Sequence, residues 1–315
     1  MSGRPTWRGH AYIMRPDHWF KQVFALPGIA AAFSDPEGTI PGGVAVRVVA
    51  GFVSLCLVAS SNYVINEMLD APSDLAHPSK RLRAVPSGQV NVPLGLVQWI
   101  GCMVLGVGLG FLINVPFGLT VLALWVMGCI YNIPPVRSKD LPYLDVLTES
   151  INNPLRMMAG WYMTGITVLP PTSLLLSYWF VGCYFMALKR FAEYREIDDP
   201  VRAADYRASF SYYTADRLLV SVLFYASAAM LFLGAFVMRY RLELILAFPL
   251  IAVVMAIYFS LALRDDSAVI NPERLYRQPA LMTATVACAA VMLVLMFVDI
   301  PALEEIFRPT GIRTR

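Results

Sequence analysis

Nine long apolar segments are the feature that most limits how this 315-residue chain can fold. A helix needs about 20 mainly apolar residues to cross the hydrocarbon core of a bilayer. The segments occupy residues 18–35, 44–69, 92–114, 116–133, 145–167, 171–190, 217–238, 242–263 and 279–299. The sequence therefore predicts an all-α, polytopic membrane protein with about nine transmembrane helices, in which residues 1–315 form a single domain.

The composition agrees with a membrane protein and excludes several other classes. Hydrophobic residues make up 57% of the chain and charged residues 15%, whereas a soluble domain has about 25% charged residues. The polar, Arg-rich start does not have the layout of a signal peptide. The five cysteines form no CxxC pair, so we expect neither a zinc site nor a disulfide framework. The net charge of +3 is too small to suggest nucleic acid as a partner.

The Lys and Arg residues collect on one side of the predicted membrane protein. With nine spans, the loops on the N-terminal side hold 18 of the 25 Lys and Arg residues and the opposite side holds 5. Cytoplasmic loops carry the excess of Lys and Arg in membrane proteins. We therefore expect an inner (plasma) membrane protein whose N-terminus and long polar loops are cytoplasmic.

A stripe of polar side chains ends the second apolar segment. Asn62, Asn66 and Asp70 are spaced i, i+4 and i+8, which places them along one side of a helix. Pro72 is expected to end that helix, so that Asp74 lies in the following turn. Oxygen ligands on adjacent turns suit Mg²⁺, which proteins usually hold through a few carboxylates plus substrate phosphates.

A basic cluster follows the stripe directly. Lys80, Arg81 and Arg83 lie in the next loop, and such cations bind phosphate oxygens. A solvated helix end with a cytoplasmic loop would explain these cations, and it is also the better explanation of His77. It does not explain polar groups within the last two turns of an apolar span, where they are costly and indicate function.

These residues resemble a known motif. Asn66-x-x-x-Asp70-x-x-x-Asp74 followed by His-Pro-x-Lys-Arg is similar to the first aspartate-rich motif of the UbiA superfamily of intramembrane prenyltransferases, and the run Tyr131–Lys139 is similar to the loop after the fourth helix of that superfamily. The resemblance implies an all-α bundle around a central cavity. It also implies that Asn66, Asp70 and Asp74 are catalytic and bind Mg²⁺.

The sixth apolar segment ends where most members of this superfamily have a second aspartate motif. Here the run begins with two cations, Lys189 and Arg190, and continues to Glu193. We expect the cations to bind phosphate directly, Lys189 pointing at the centre of the cavity and Arg190 reaching it from the flank, with Glu193 as a metal ligand. A solvated helix with ion pairs one turn apart is the alternative, above all for Glu196, Asp198 and Asp199.

The run Lys189-Arg190-Phe-Ala-Glu193 resembles the decaprenyl-phosphate phosphoribosyltransferase branch of the superfamily. The run Ser209-Phe-x-x-Tyr213-Thr and the opening Arg15-Pro-x-x-Trp-x-Lys21 resemble the same branch. Three residues or runs depart from it: Gln22 replaces the usual Asn, Glu67 replaces Asp, and Asn152-Asn153-Pro-Leu-Arg156 is unusually rich in amides.

Arg156 lies inside the predicted fifth span. Glu149, Asn152 and Arg156 are expected to share one side of a continuous helix. An unpaired charge in the membrane is costly. Arg156 therefore either forms an ion pair with Glu149 that fixes helix packing or binds substrate.

Three functions remain open from the residues and the resemblance. The first is Mg²⁺-dependent transfer of 5-phosphoribose from phosphoribosyl pyrophosphate to a polyprenyl phosphate. The second is transfer of an isoprenyl chain from its diphosphate to an aromatic or other small acceptor. The third is transport of an anionic lipid or metabolite, which the lack of an internal repeat disfavours. The cations at Lys21, Lys189 and Arg190 favour the first.

The expected partners are a phosphorylated small-molecule donor, a polyprenyl lipid and the membrane, and homo-oligomerisation is left open. The expected metal ligands are Asn66, Asp70, Asp74 and Glu193. The expected substrate-binding residues are Lys21, Asn62, Lys80, Arg81, Arg83, Tyr131, Arg156, Lys189 and Arg190.

Overall fold

The computed structural model describes residues 4–35, 39–75, 80–197, 199–270 and 272–308, and the described residues form helices and connecting turns without a β-strand. The chain divides into two compact units, Met1–Pro170 and Pro171–Arg315. The prediction of an all-α fold is confirmed.

The first unit contains seven α-helices and three 3-10 helices among its described residues. The α-helices are α1 (Trp7–Ile13), α2 (Leu26–Phe33), α3 (Val44–Leu75), α4 (Val92–Ile113), α5 (Val115–Asn132), α6 (Leu144–Ser150) and α7 (Asn152–Met163). The 3-10 helices are Pro16–Ala25, Lys80–Leu82 and Ser138–Asp140.

The long helix α3 packs against α4 and α5, and side-chain hydrogen bonds fix the register of the three helices. Ser54 Oγ donates to the carbonyl of Gly106 at 2.7 Å, and Ser61 Oγ donates to the carbonyl of Trp99 at 2.7 Å. Trp125 Nε1 donates to Ser61 Oγ at 3.1 Å, and its ring stacks on that of Trp99. Such bonds satisfy polar groups inside an apolar bundle, where an unpaired group costs free energy.

The second unit contains the helices α8 (Thr172–Ile197), α9 (Pro200–Tyr206), α10 (Ala215–Tyr240), α11 (Phe248–Ala262), α12 (Pro272–Leu275), α13 (Pro279–Leu295) and α14 (Pro301–Ile306). Its described 3-10 helices are Ala208–Ser211, Leu242–Ala247 and Ala268–Ile270. The helices α8 and α10 pack along much of their length. Ser177 Oγ donates to the carbonyl of Ala229 at 3.0 Å, and the Phe180 and Phe232 rings stack.

Five helical stretches in the described chain are long and apolar enough to cross a membrane: Val44–Leu75, Val92–Ile113, Val115–Asn132, Ala215–Tyr240 and Leu242–Ala262. Many large apolar side chains on these helices point away from the protein. Leu112, for example, is 84% exposed and Val46 is 74% exposed. A surface of this kind suits lipid contact, and the chain is an integral membrane protein.

Three of the nine predicted spans are not single α-helices, and the count of nine is not confirmed. Residues 242–263 form the 3-10 helix Leu242–Ala247 followed by α11, a stretch that is still long and apolar enough to cross a membrane. Residues 18–35 form the 3-10 helix Pro16–Ala25 followed by the short helix α2. Residues 145–167 form α6 and α7, separated at Ile151. Pro154 has no N–H to donate to the carbonyl of Ser150, so the helical hydrogen-bond ladder is interrupted there.

The predicted end of the second span at Pro72 is also wrong. The helix α3 includes Pro72 and continues to Leu75. Proline removes a single backbone bond, here to the carbonyl of Met68, and this loss is small within the last turn of a helix. Asp74 therefore lies on the same helix as Asn66 and Asp70.

Candidate functional site

The C-terminal end of α3, which the sequence predicts to lie on the cytoplasmic side, carries a cluster of charged side chains centred on Asp70. Asp70 Oδ1 accepts hydrogen bonds from Lys139 Nζ at 2.5 Å and from Arg137 Nη2 at 3.0 Å. Asn66 Nδ2 donates to Asp70 Oδ2 at 3.2 Å. One carboxylate is thus shared by two cations, and Arg137 also bonds Asp140, so two cations and two carboxylates lie together at this end of α3.

The end of α5 supports this cluster. Asn132 Oδ1 accepts from Asn66 Nδ2 at 2.5 Å and from Lys139 Nζ at 3.2 Å. Asn132 Nδ2 donates back to the carbonyl of Gly128 at 2.9 Å, which fixes the orientation of the amide. Burial is the main cause that lowers the pKa of Lys139, and the charge of Asp70 opposes the shift.

Arg137 and Lys139 were absent from the predicted site residues, although both lie in the Tyr131–Lys139 run that resembles the family. The signal was their position two and four residues after Pro135, where a short loop can return to the helix end. Arg137 has a φ of 30°, a left-handed conformation that is rare outside glycine and costs free energy. The loop holds this conformation while Arg137 bonds Asp70 and, through Nε at 2.8 Å, Asp140.

Asp74 belongs to a neighbouring ion pair. The side chain of Asp74 is 5% exposed and accepts from Arg83 Nη1 at 2.7 Å. Glu67, one turn before Asp70, accepts from the backbone N–H of Val85 at 3.0 Å. These two bonds hold the segment after the 3-10 helix Lys80–Leu82 against the end of α3.

Lys80 and Arg81 belong to the same basic cluster as Arg83. Arg81 is exposed. The backbone of Lys80 begins the 3-10 helix Lys80–Leu82, and its side chain lies outside the description. His77 lies outside the described residues. The proposed phosphate contacts of Lys80 and Arg81 therefore stay predictions.

Asn62 was predicted to bind substrate, but its side chain forms a hydrogen bond that connects α3 to α5. Asn62 Nδ2 donates to the carbonyl of Leu124 at 3.1 Å. The side chain of Asn62 occupies the space beside Gly128, where any Cβ atom would collide with it. Tyr131 is half-buried near the end of α5 and directly precedes Asn132.

A second group of polar residues lies where the 3-10 helix Pro16–Ala25 meets α3 and α7. Lys21 Nζ donates to His18 Nδ1 at 3.1 Å and lies 5.9 Å from the centre of the Tyr63 ring. Burial, followed by the charges of Lys21 and Arg15, lowers the pKa of His18 to about 4. His18 is therefore neutral at pH 7, and one of its ring nitrogens accepts a bond from a cation.

Of the two alternatives for Arg156, the ion pair with Glu149 is not formed. Within the described chain, the polar contact of Arg156 is a hydrogen bond from its Nε to Gln22 Oε1 at 3.2 Å. Glu149 lies on α6 and Arg156 on α7, and Arg156 bonds Gln22 of the 3-10 helix Pro16–Ala25.

Lys189, Arg190 and Glu193 lie on α8 in the second unit. The Arg190 side chain is 5% exposed and its Nη1 lies 2.8 Å from Glu193 Oε2, while Lys189 Nζ lies 3.8 Å from Glu193 Oε1. Glu193 thus balances two cations. The metal role of Glu193 and the orientation of Lys189 and Arg190 toward Asp70 stay predictions.

The acidic residues after Glu193 include a helix cap. Asp199 Oδ1 accepts from the backbone N–H groups of Val201 and Arg202 at the start of α9, an ordinary N-cap arrangement. Asp198 lies outside the described residues.

The oxygen-rich end of α3 fits a hard divalent cation. Asp70 and Asp74 are one helical turn apart, and Asn66 lies one turn earlier. No three His, Cys, Asp or Glu side chains in the described part of the chain form a metal-binding group by themselves. Mg²⁺ is usually bound by one or two carboxylates together with substrate phosphates, so it does not require such a group.

Comparison with curated proteins finds relatives among phosphoribosyltransferases. The chain is 30% identical over 198 residues to a decaprenyl-phosphate phosphoribosyltransferase of Corynebacterium glutamicum, a match that covers 59% of this chain and 54% of that protein. It is 29% identical over 214 residues to a protein of the same name from Mycolicibacterium smegmatis, covering 65% of this chain and 62% of that protein. The matched segments thus span little more than half the length of these relatives.

Comparison with solved structures finds the same fold. A UbiA homologue from Archaeoglobus fulgidus, bound to DMAPP and Mg²⁺, aligns with a TM-score of 0.68 at 21% identity and covers 94% of this chain and 98% of its own. The sequence profile of the UbiA prenyltransferase family matches residues 23–282, which cover most of each unit and every described member of the Asp70 cluster. The chain belongs to the UbiA prenyltransferase family.

Proposed function

We propose that this protein transfers 5-phosphoribose from phosphoribosyl pyrophosphate to a polyprenyl phosphate and releases pyrophosphate. The reaction requires Mg²⁺ and takes place at the cytoplasmic side of the plasma membrane, within one catalytic domain of residues 1–315. The observation that carries the proposal is the sharing of Asp70 by Arg137 and Lys139. A pyrophosphate that binds here accepts from Arg137 and Lys139 in place of Asp70, and Asp70 is then released to hold the metal ion.

The polar surroundings of Arg156 favour a ribosyl donor over a prenyl donor. A prenyl chain requires an apolar tunnel and aromatic rings near its cationic carbon. A phosphorylated sugar requires polar partners, and the first unit provides Lys21, Gln22 and Arg156 beside Tyr63. The names of the curated relatives agree with this donor.

The residues of the cluster have separate tasks in the proposed reaction. An oxygen of the lipid phosphate attacks C1 of the ribose, the bond from C1 to the pyrophosphate oxygen breaks, and the electron pair leaves with pyrophosphate. Arg137 and Lys139 donate to the pyrophosphate oxygens and stabilise the charge that develops there. The lipid phosphate is already anionic, so the nucleophile does not require a strong general base.

Asn66, Asp70 and Asp74 would hold the metal ion. Bound Mg²⁺ supplies charge stabilisation to the leaving group. Asn132 orients Asn66 and Lys139 through its amide oxygen. Arg83 orients Asp74, and we propose Lys189 and Arg190 as additional contacts for the donor phosphates.

Transfer of an isoprenyl chain to a small acceptor is the second candidate, because the family is named for prenyl transfer. The two candidates differ in the labelled group that reaches the product. Purified protein is incubated with Mg²⁺, polyprenyl phosphate and phosphoribosyl pyrophosphate labelled in the ribose. We expect a labelled lipid that forms only with both substrates. Absence of this lipid, together with transfer from a labelled prenyl diphosphate, would establish the second candidate.

A further inference from the structure

Two amide side chains at the junction of the 3-10 helix Pro16–Ala25 with α7, buried Gln22 and half-buried Asn152, each have a buried polar atom without a partner among the described residues. Within the part of the chain that the structure describes, Gln22 Nε2 and Asn152 Oδ1 are buried without a hydrogen-bond partner. Gln22 is 1% exposed. Buried polar atoms are almost always hydrogen-bonded in native proteins, so each of these two requires an explanation.

The bonds that these amides do form decide which atom is unpaired. Gln22 Oε1 accepts from Arg156 Nε at 3.2 Å, and because arginine only donates, the free atom of Gln22 is the donor Nε2. Asn152 Nδ2 donates to the carbonyl of Glu149 at 3.0 Å, and because a carbonyl only accepts, the free atom of Asn152 is the acceptor Oδ1. Exchange of oxygen and nitrogen in either amide would therefore break an existing bond.

Close backbone packing holds the two elements together at this junction. A Cβ atom on Gly28 would collide with the carbonyl of Met157, and one on Gly160 would collide with the carbonyl of Ala25. Glycine at both positions lets the N-terminal segment approach α7 more closely than larger residues would allow. The side chains of Gln22 and Arg156 thus meet between two backbone segments that are in close contact.

The junction lies close to charged side chains and to α3, which carries Tyr63 and Asp70. Arg156 and Asn152 are one turn apart on α7. Two cations, Arg156 and Arg15, and the carboxylates of Glu149 and Asp17 act electrostatically on Tyr63, and Lys21 Nζ lies 5.9 Å from its ring. Tyr63 precedes Asp70 by two turns on the same side of α3, which corresponds to about 10 Å along the helix. This is a distance on the scale of a phosphorylated sugar.

From these contacts we infer that Gln22 and Asn152, with Arg156 orienting Gln22, form a subsite that binds the ribose hydroxyl groups of the donor. A hydroxyl group both donates and accepts, so adjacent hydroxyls can satisfy one unpaired donor and one unpaired acceptor. The inference rests on the proposed function and adds to it the part of the donor that these residues recognise. It also gives a role to the amide-rich run at Asn152 that the family resemblance left unexplained.

The test compares phosphoribosyl pyrophosphate with its 2-deoxyribosyl analogue in the full-length protein. A site built to hydrogen-bond a hydroxyl rejects an analogue without it, often by factors above about 100. We expect wild-type protein to favour the hydroxylated donor in kcat/KM, and Gln22→Met to reduce that preference at least about tenfold. Asn152→Leu and the conservative Gln22→Asn provide further variants if Gln22→Met does not fold.

Gln98→Met is the matched control. Gln98 lies in the same unit, and both polar atoms of its side chain bond His10, at 2.5 Å and 3.0 Å. Its loss should lower the unfolding temperature and leave the preference between donors unchanged. A purely structural role for Gln22 likewise predicts that Gln22→Met lowers the unfolding temperature, because Arg156 loses its hydrogen bond, and leaves the donor preference unchanged.

The outcomes separate this inference from the proposed function. Phosphoribosyl transfer with equal use of both donors by wild type and by Gln22→Met would overturn the subsite alone. The same holds if ordered water fills the junction and donor preference is unaffected by the substitutions. A wild-type protein without any phosphoribosyl transfer would overturn the proposed function and the subsite with it.

Discussion

Replacement of Asp70 by alanine should damage both the stability and the activity of the protein, and the two effects can be separated. In the structure the Asp70 side chain is 19% exposed and that of Lys139 is 8% exposed. Removal of one partner from a buried ion pair lowers the free energy of unfolding by about 3–5 kcal/mol, because the other charge stays buried without its partner. The bonds from Lys139 to Asn132 and from Arg137 to Asp140 remain and should reduce this cost to about 3 kcal/mol.

The double variant Asp70→Ala, Lys139→Met separates stability from chemistry. It removes the stranded ammonium group together with its carboxylate, so most of the lost free energy of unfolding should return. Transfer activity should remain absent, because the metal ligand and a pyrophosphate donor are both missing. The measurements are unfolding in detergent and the labelled-donor assay. Wild-type stability in Asp70→Ala, or recovered transfer in the double variant, would refute this account of the cluster.

Three other predictions address different parts of the molecule. Arg190→Ala and Lys189→Ala should each raise the KM for the phosphorylated donor about tenfold or more, since each removes charged hydrogen bonds worth about 1.5–3 kcal/mol; an unchanged KM would remove both residues from the donor site. The depressed pKa of His18, about 4, means that only the unfolded chain binds its proton between about pH 6.5 and 4. Stability should therefore fall as the pH drops through this range, and less steeply in His18→Gln. Gly160→Val should lower the unfolding temperature, because its side chain meets the backbone of Ala25; an unaltered value would contradict the tight packing.

Spacing alone was sufficient to place the polar stripe on one helix. The i, i+4 pattern of Asn66 and Asp70 has the same meaning in any helix, and the structure bonds these two side chains to each other. The error at Pro72 came from a local rule that treats proline as a helix end, although in the last turn proline costs one hydrogen bond. Local patterns thus identified the residues but misplaced a boundary.

The partners of Asp70 could not be predicted in the same way. Arg137 and Lys139 follow Asp70 by 67 and 69 residues, and no periodicity connects positions so far apart. The exchange of partners at Arg156 has a similar cause, since Gln22 is 134 residues away. A buried Arg must have a partner, but tertiary packing decides which partner it has.

The measurement that tests the central claim most directly is a structure of the full-length protein with Mg²⁺, or Mn²⁺ as a heavier substitute, and phosphoribosyl pyrophosphate. The account predicts a metal ion coordinated by Asp70 and by pyrophosphate oxygens, at about 2.0–2.1 Å for Mg²⁺. It also predicts that Arg137 or Lys139 moves from Asp70 to the pyrophosphate. A donor bound elsewhere, with the bonds from Lys139 and Arg137 to Asp70 intact and no metal ion at Asp70, would contradict it.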